Sequence, residues 1–532
     1  MGETKRRRQF LKSTLVGGVG LLVARRSVAG EVVDQLALEE MPIAQLQQRM
    51  KDRVWTSEAV TAGYLARIEA IDRNGPKINS VIEINPDALA IARQLDEERQ
   101  AGKVRGPLHG VPILIKDNVD TADRMRTTAG SLALADSIAP RDAFIVERLR
   151  AAGVVLLGKT NLSEWANFRS SRSISGWSGR GGQTLNPYAL DRNPCGSSSG
   201  SGAATAASLC AASIGTETDG SIVCPSNASS LVGLKPTVGL VSRAGIIPIS
   251  ATQDTAGPMT RTVTDAAIIL NALTGPDPRD PITSLSRPQI GIDYTKFLDP
   301  QGLKGTRIGV ARDYLGFNPR VDRLIEAAIE VMKERGATII DPVRETTKGK
   351  YDDAEFEVLL YEFKDGLNAY LRTISPAIAI RSIDDVIRFN EENREREMPW
   401  FGQETMIASA GKGSLSSPAY RQARLKCRTL SRRLGIDAML ARHRLDAIVA
   451  PTGGPAWKTD RLNGDHFSGG FSTAAAVAGY PHITVPAGYI EGMPVGLSIF
   501  AGPWTEGRLL RYAYAFEQAT RHRRAPGYTA VS

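Results

Sequence analysis

The sequence predicts an α/β fold in which helices cover a buried β-sheet. The chain has 532 residues, of which 42% are hydrophobic and 23% charged, and this length is ample for a large core. Short continuous apolar runs at residues 111–115, 154–157 and 447–450 are typical of buried strands. Helical patterns over residues 142–152 and 420–442 each precede one of these runs. This alternation of helix and strand indicates a sheet covered by helices.

The first elements that we predict in the body of the chain are helices, within residues 42–99. Thr56 or Ser57 is suited to cap a helix whose apolar residues recur at helical spacing as far as Ile71. A second helix is expected over about residues 87–99. These helices lead to the first apolar strand.

A polar segment ends that first predicted strand. The apolar run 111–115 stops abruptly at Lys116, Asp117 and Asn118. A buried strand of this kind delivers polar groups at its end. The position suits a functional site.

The middle of the chain, residues 176–257, is rich in Gly, Ser and Ala. This composition lets backbone approach backbone and ligand closely, but it supplies little bulky core. The interleaved apolar run 203–214 nevertheless indicates packed structure. A loop rich in Pro and Asp follows at residues 276–281, and residues 307–335 resume the alternation of strand and helix.

Residues 352–414 are predicted to be helical and are strongly charged. Two interpretations stay open for this region: a solvated helical layer or a lid over the site. The sequence contains no internal repeat.

The N-terminus resembles a bacterial export signal. Residues 1–29 hold seven Lys or Arg residues against one Glu, and so carry most of the net charge of +9. Residues 7–12, RRQFLK, form a twin-arginine pattern before the short apolar run 15–24. The pattern predicts a twin-arginine (Tat) signal peptide cleaved after Ala29, and so a periplasmic or secreted protein handled by the Tat machinery. A basic amphipathic arm or a retained anchor is the alternative.

The remaining sequence points to neither nucleic acid nor membrane. It contains no long basic stripe with interleaved aromatic residues, so a nucleic-acid partner is not expected. The apolar run 15–24 is too short to span a bilayer, so no stable membrane span is expected.

Cysteines and histidines argue against metal chemistry. The cysteines form no CxxC pair and no dense framework, although one bridge is possible; they are Cys195, Cys210, Cys224 and Cys427. The five histidines include no HExxH motif. We therefore assign no metal and no cofactor.

Three local features carry chemistry: Lys116 at a strand end, the Gly/Ser cluster 195–202, and the segment 215–221, GTETDGS. Each alone is a weak signal. Together with their flanks they resemble the amidase signature hydrolases, in that family's order, from about residue 40 to residue 520. The matching segments are GPLHGVPILIKDN (106–118), CGSSSGSGAA (195–204), GTETDGSIVCPSN (215–227), VGLKPTVGLVSR (232–243) and DTAGPMTRTVTD (254–265).

The resemblance implies a fold and a reaction. It implies a single large amidase domain, residues 30–532, with a mixed β-sheet core covered by helices. The wording TETDGSIVCP is most similar to bacterial peptide amidases, which remove the amide from C-terminally amidated peptides. The expected reaction converts a carboxamide to a carboxylate and ammonia through an acyl-enzyme.

The same resemblance assigns catalytic roles. It makes Ser221 the nucleophile, Ser197 a bridging serine in a cis peptide linkage, and Lys116 the base. An amine acts as a base only when it is neutral, and burial disfavours its charged form. A lysine at the end of a buried strand fits that requirement.

The resemblance places the oxyanion donors at the backbone N–H groups of Thr218, Asp219 and Gly220. Many relatives have Gly at the positions of Cys195, Ser199 and Asp219. Asp tolerates the left-handed backbone conformation, so Asp219 is compatible with the oxyanion site and affects mainly the substrate range.

Several other motifs and functions compete. Ser198 sits in a GxSxG match without a preceding strand, Ser409 begins an SxxK match without its companion motifs, and Cys224 has no nearby histidine. Alternative functions are the amide-hydrolysing component of a tRNA-dependent amidotransferase, a broad-range aliphatic or aromatic amidase, and a catalytically silent peptide-binding protein. Activity without a partner would distinguish these.

Overall fold

The computed structural model describes residues 38–531. The predicted signal peptide, residues 1–29, and its cleavage after Ala29 lie outside these residues. The start of the amidase domain at residue 30 therefore stays a prediction.

One mixed sheet organises residues 38–531. Its eleven strands follow the order β1-β3-β2-β6-β8-β7-β12-β13-β11-β9-β10, and β4 and β5 form a separate antiparallel pair. The strands are β1 (Val81–Ile84), β2 (Pro112–Lys116), β3 (Val155–Thr160), β4 (Trp177–Ser178), β5 (Gly182–Gln183), β6 (Ala212–Glu217), β7 (Val232–Lys235), β8 (Thr255–Thr260), β9 (Arg307–Ala311), β10 (Thr338–Val343), β11 (Ala447–Pro451), β12 (His482–Ile490) and β13 (Met493–Phe500).

Helices and loops cover both faces of this sheet, because every residue of β2, β3, β6 and β8 is buried. The α-helices are α1 (Ile43–Lys51), α2 (Ser57–Arg67), α3 (Ala88–Gln100), α4 (Phe144–Ala151), α5 (Ser199–Ala206), α6 (Val223–Ala228), α7 (Val263–Leu273), α8 (Pro319–Glu334), α9 (Asp352–Leu371), α10 (Ile383–Glu392), α11 (Arg394–Glu397), α12 (Glu404–Ala410), α13 (Pro418–Arg428), α14 (Asp437–His443), α15 (Thr473–Ala478) and α16 (Glu506–Thr520). Single π-helical segments extend α2 and α13, at Ile68–Asn74 and Thr429–Ile436.

The predicted α/β fold, a mixed sheet covered by helices, is confirmed. Thr56 caps α2 by accepting a hydrogen bond from the Ala59 N–H at 3.0 Å. The apolar run predicted at 111–115 is β2, whose last residue is Lys116. Strands β2, β3 and β6 are mutually parallel, whereas β8, β7, β12 and β13 join antiparallel. The carboxyl ends of β2 and β6 therefore meet at one edge of the sheet.

The helical region 352–414 is packed and not merely solvated. On α9, Phe363 and Leu367 are buried in one apolar cluster with Trp165, in a short 3-10 helix after β3, and Ile247, in the connection between β7 and β8. The region therefore forms a wall against those two segments. Whether it also opens as a lid stays a prediction.

Across residues 38–531, no helix combines the length and the apolar character needed to cross a membrane.

Candidate active site

Lys116 lies at the centre of a buried polar cluster. Strands β2 and β6 pair in parallel, with Ile115 opposite Ile214, so Lys116 ends beside Thr216. Its Nζ lies within hydrogen-bonding distance of three oxygen atoms: Ser197 Oγ at 2.8 Å, Thr216 Oγ1 at 2.9 Å and the Thr216 carbonyl at 3.2 Å. Lys116 is 0% exposed. The sheet thus brings the predicted base and the predicted bridging serine into direct contact across 81 positions of sequence.

Burial changes the proton affinity of this amine. Desolvation lowers the pKa of Lys116 to about 7, and the carboxylates of Asp254 and Glu217 act in the opposite direction. Its hydrogen-bonding partners Ser197 and Thr216 are neutral. A large fraction of Lys116 is therefore an uncharged amine near neutral pH.

Ser197 lies in the loop before α5. The peptide bond between Gly196 and Ser197 is cis. A Cβ atom at Gly196 would lie 2.2 Å from Ser163 Oγ, so any other residue here would force the Ser163 side chain to move. The next N–H, that of Ser198, donates to the Ser221 carbonyl at 3.2 Å. This bond joins the segments that carry Ser197 and Ser221, which are both buried.

A buried carboxylate shapes the turn that carries Ser221. Glu217 Oε2 accepts from the N–H groups of Ile222 at 2.7 Å and Val223 at 3.0 Å. These N–H groups lie at the start of α6, where a helix has unpaired donors. Gly220 has φ +77°, a left-handed conformation that favours glycine. Together these features fix the sharp turn between β6 and α6.

The predicted oxyanion donors have no competing acceptor. Among the residues that the structure describes, the backbone N–H groups of Thr218, Asp219 and Gly220 donate to no protein atom. The left-handed conformation that Asp219 was expected to tolerate belongs instead to its neighbour Gly220. The Asp219 carboxyl accepts from Thr473 Oγ1 at 2.7 Å, and burial raises its pKa.

A disulfide cross-links the two serine-bearing segments. Cys195 and Cys224 are bonded, with their Cα atoms 5.9 Å apart. Cys195 precedes Ser197 by two residues, and Cys224 follows Ser221 by three. The sequence allowed one bridge without naming the pair. Cys210 and Cys427 are buried thiols.

The rival motifs have structural roles in the fold. Ser198 Oγ donates to the Thr216 carbonyl at 3.0 Å and accepts from the Thr216 N–H at 3.2 Å. No strand leads into Ser198, in agreement with the rejected nucleophile elbow. Ser409 is 0% exposed and donates to the Thr405 carbonyl within α12.

Sequence reasoning missed several residues of the site. Thr216 contacts Lys116 directly, and Asn118 Nδ2 donates to Thr216 Oγ1 at 3.0 Å. Asp254 accepts from Thr218 Oγ1 at 2.6 Å. Thr216 and Asp254 both lie inside the segments that carry the family resemblance, and this location could have identified them as candidate site residues.

A cavity of about 210 Å³ borders this site. Thr216 and Thr218 line it, whereas Ser197 and Ser221 do not. Its walls are partly apolar and partly charged; they include Ala166, Ile246, Ile247, Pro248, Ile249, Leu415, Arg243, Asp254 and Glu362. The cavity offers room for a substituent beside the candidate oxyanion segment.

The comparisons with known proteins agree with this architecture. The pattern of the Amidase family matches residues 59–510. This family match, together with the likeness to solved peptide amidases on the same fold, defines the class of the protein: an amide-hydrolysing enzyme. The chain belongs to the Amidase family, and the resemblance inferred from its motifs is confirmed.

Three relatives illustrate the match. The solved peptide amidase of Stenotrophomonas maltophilia is 51% identical, with a TM-score of 0.88 over 92% of this chain and 99% of that one. A probable amidase of Arabidopsis thaliana is 41% identical over 98% of this chain and 97% of its own length. A component of the glutamyl-tRNA(Gln) amidotransferase of Caldanaerobacter subterraneus is 36% identical over 91% of this chain and 97% of its own length.

The predicted localisation, periplasmic or secreted through bacterial Tat export, is wrong. The curated relatives that match most of the chain include proteins from a plant and from fungi, such as Schizosaccharomyces pombe at 38% identity over 93% of this chain. The twin-arginine pattern spans six residues and the apolar run ten. Such short patterns also fit a basic amphipathic arm, so they are weak evidence for export.

Proposed function

We propose that this enzyme hydrolyses the terminal carboxamide of C-terminally amidated peptides to a carboxylate and ammonia. One observation carries the proposal: the fully buried Lys116 Nζ lies 2.8 Å from Ser197 Oγ. A buried amine beside a serine hydroxyl is a means of activating a serine nucleophile. We assign Lys116 as the base, Ser197 as the bridging serine and Ser221 as the nucleophile.

The proposed reaction has two halves. Ser221 Oγ attacks the amide carbon while its proton passes through the Ser197 hydroxyl to the Lys116 amine. The carbon–nitrogen bond then breaks as the proton returns through Ser197 to the leaving nitrogen, which departs as ammonia. Water attacks the resulting acyl-enzyme along the same proton path, and the carboxylate leaves with Ser221 restored.

The N–H groups of Thr218, Asp219 and Gly220 are the proposed oxyanion donors. They precede Ser221 directly and have no acceptor in the described part of the protein. Preorganised main-chain donors stabilise the negative charge that develops on the amide oxygen, and loss of one such donor costs about 3 kcal/mol in the barrier.

Two observations favour a peptide amide over a simple one. The solved peptide amidase named above shares 51% identity with this chain over nearly its whole length. The adjoining cavity of about 210 Å³ exceeds the roughly 150 Å³ that suffices for benzene in an engineered apolar cavity. It therefore has room for an amino-acid side chain of the acyl group.

Ammonia release by the purified chain, without any partner, tests the substrate class. We expect release from C-terminally amidated peptides, with kcat/KM at least about tenfold above that for simple aliphatic and aromatic carboxamides, because remote contacts contribute binding energy to the transition state. The same peptides with free C-terminal carboxylates serve as blanks. Release from simple carboxamides alone would discard the peptide substrate.

The amidotransferase alternative makes a different prediction for that experiment. It rests on the match to the glutamyl-tRNA(Gln) amidotransferase component. A protein of that kind would require partner proteins and tRNA for its physiological reaction. Hydrolysis of peptide amides by the isolated chain would contradict it.

The pH dependence tests the base. The pKa of Lys116 is lowered to about 7 because the amine is buried, and only the neutral amine accepts the proton of the nucleophile. We therefore expect kcat/KM to rise with pH along a limb centred near 7 and to level off above it. Initial rates from about pH 5.5 to about pH 9 at constant ionic strength measure this limb. A flat profile across that range would contradict Lys116 as the base.

A further inference from the structure

The candidate oxyanion segment comprises residues 218–220, and two hydrogen bonds fix its first residue, Thr218. Its Oγ1 donates to Asp254 Oδ1 at 2.6 Å, and its carbonyl accepts from Gln253 Nε2 at 3.3 Å. Asp254 and Gln253 are adjacent in sequence, just before β8. The orientation of the Thr218 peptide, including its neighbouring N–H, is therefore set from outside the segment itself.

Asp254 is itself firmly placed. Its Oδ2 accepts from the N–H groups of Ile249 and Ser250, both at 2.8 Å, and the residue is 8% exposed. Its neighbour Thr255 pairs with Glu217 across β8 and β6. A carboxylate that receives three donors and is anchored to the sheet has little freedom, so it is suited to fix another group.

Gln253 adds a second connection. The same Nε2 that contacts Thr218 also donates to Glu355 Oε1 at 2.9 Å, and Glu355 lies on α9. The Gln253 side chain thus connects the helical region 352–414 with the candidate oxyanion segment.

The charge of Asp254 also reaches the candidate base. Asp254, before β8, and Glu217, at the end of β6, are the carboxylates that act on the buried Lys116 amine. Burial raises the pKa of Asp254 to about 6, so the group is still largely ionised at neutral pH. Its negative charge favours the protonated form of the amine.

We propose that Asp254 is a positioning residue of this site: through the Thr218 hydroxyl it fixes the oxyanion segment, and its negative charge acts on the Lys116 amine. This inference rests on the proposed function of the site. Among the described residues the Asp254 carboxylate hydrogen-bonds to Thr218, Ile249 and Ser250, and not to Lys116, Ser197 or Ser221. It therefore acts through the Thr218 hydroxyl and through its charge.

The Asp254→Asn variant alters both effects, and each effect has its own readout. We expect kcat to fall about 10- to 100-fold with KM changed by less than about threefold, since small displacements of catalytic groups cost about that much. The acid limb of kcat/KM should also move to lower pH, because removal of the negative charge disfavours the ammonium form of Lys116.

Two Thr218 variants isolate the hydrogen bond from the charge. Thr218→Val removes the hydroxyl and keeps the shape, so kcat should fall similarly while the acid limb stays in place. Thr218→Ser retains the hydroxyl and should restore kcat to within about threefold of the parent enzyme. In the double variant with Asp254→Asn, the losses in kcat should fall short of additivity, because both changes break the same bond.

Asp265→Asn is the matched control. Asp265 is also a buried carboxylate, and its Oδ1 accepts from the Ile43 N–H at 3.1 Å, away from the site. Its variant should leave the acid limb unchanged, and thermal melting of every variant reports whether it is folded. Suppose that the parent enzyme hydrolyses amides through Ser221 and that Asp254→Asn has the same kcat and the same pH profile as the parent. The inference is then wrong, while the proposed function stands.

A second readout does not depend on the amide substrate. The rate at which a fluorophosphonate labels Ser221 should show the same acid limb, and the same shift in Asp254→Asn. If no amide is hydrolysed, the proposed function fails, and this labelling still decides the inference: a shifted limb supports it, whereas an unshifted limb or absence of labelling overturns it.

Discussion

Ser221→Ala is expected to lower kcat for amide hydrolysis by about 10⁶-fold, the loss found when a serine nucleophile is removed. The loss follows from the proposed mechanism, since no acyl-enzyme forms without the Ser221 hydroxyl. Lys116→Ala should have an effect of similar size, because the proton of the nucleophile then has no acceptor. Continuous measurement of ammonia release from an amidated peptide gives both values.

Ser198→Ala is the matched control for these variants. Ser198 lies beside Ser197, and its hydroxyl bonds only with the Thr216 backbone within the described chain. We expect its variant to stay within about tenfold of the parent kcat, since it loses only two neutral hydrogen bonds to the backbone. Activity that survives Ser221→Ala but is lost in Ser198→Ala would replace the proposed triad with a GxSxG nucleophile.

Parts of the fold could be predicted because their signal is local. The apolar runs that became β2 and β11 are continuous and bulky, and a buried strand needs no partner to be recognised in sequence. By contrast, β8 contains Gly and Pro within TAGPMT, and the run 203–214 holds the end of α5 and the start of β6. Small residues with no periodicity do not mark where one element ends and the next begins.

The sequence predicted only those residues of the site that belong to recognisable motifs. The resemblance named Lys116, Ser197 and Ser221, and Lys116 and Ser197 prove to be in contact. The support around them comes from pairs distant in sequence: the contact of Lys116 with Thr216 spans 100 positions, and that of Thr218 with Asp254 spans 36. Such pairs depend on strand order, which a single sequence does not contain.

The charged residues of the helical region 352–414 are a further example, because the sequence alone does not show which of them are buried. Its sequence is consistent with a solvated layer, yet Glu397 is 0% exposed and faces Arg169, which is also 0% exposed. Arg169 Nη1 lies 2.5 Å from Glu164 Oε1 and 3.6 Å from Glu397 Oε2. The guanidinium stacks on the rings of Phe401 and Trp177, at 4.2 Å and 5.2 Å. One buried arginine thus joins the helical wall to the loop after β3.

Arg169→Met is therefore expected to lower the free energy of unfolding by about 3–5 kcal/mol, because it leaves Glu164 and Glu397 buried without their cation. Denaturant unfolding followed by fluorescence measures the loss. Arg124→Met is the matched control: Arg124 and its partner Asp87 are 64% and 41% exposed, so breaking that ion pair should cost less than about 1 kcal/mol. Equal losses in the two variants would show that the buried ion pairs do not hold the helical wall against the site.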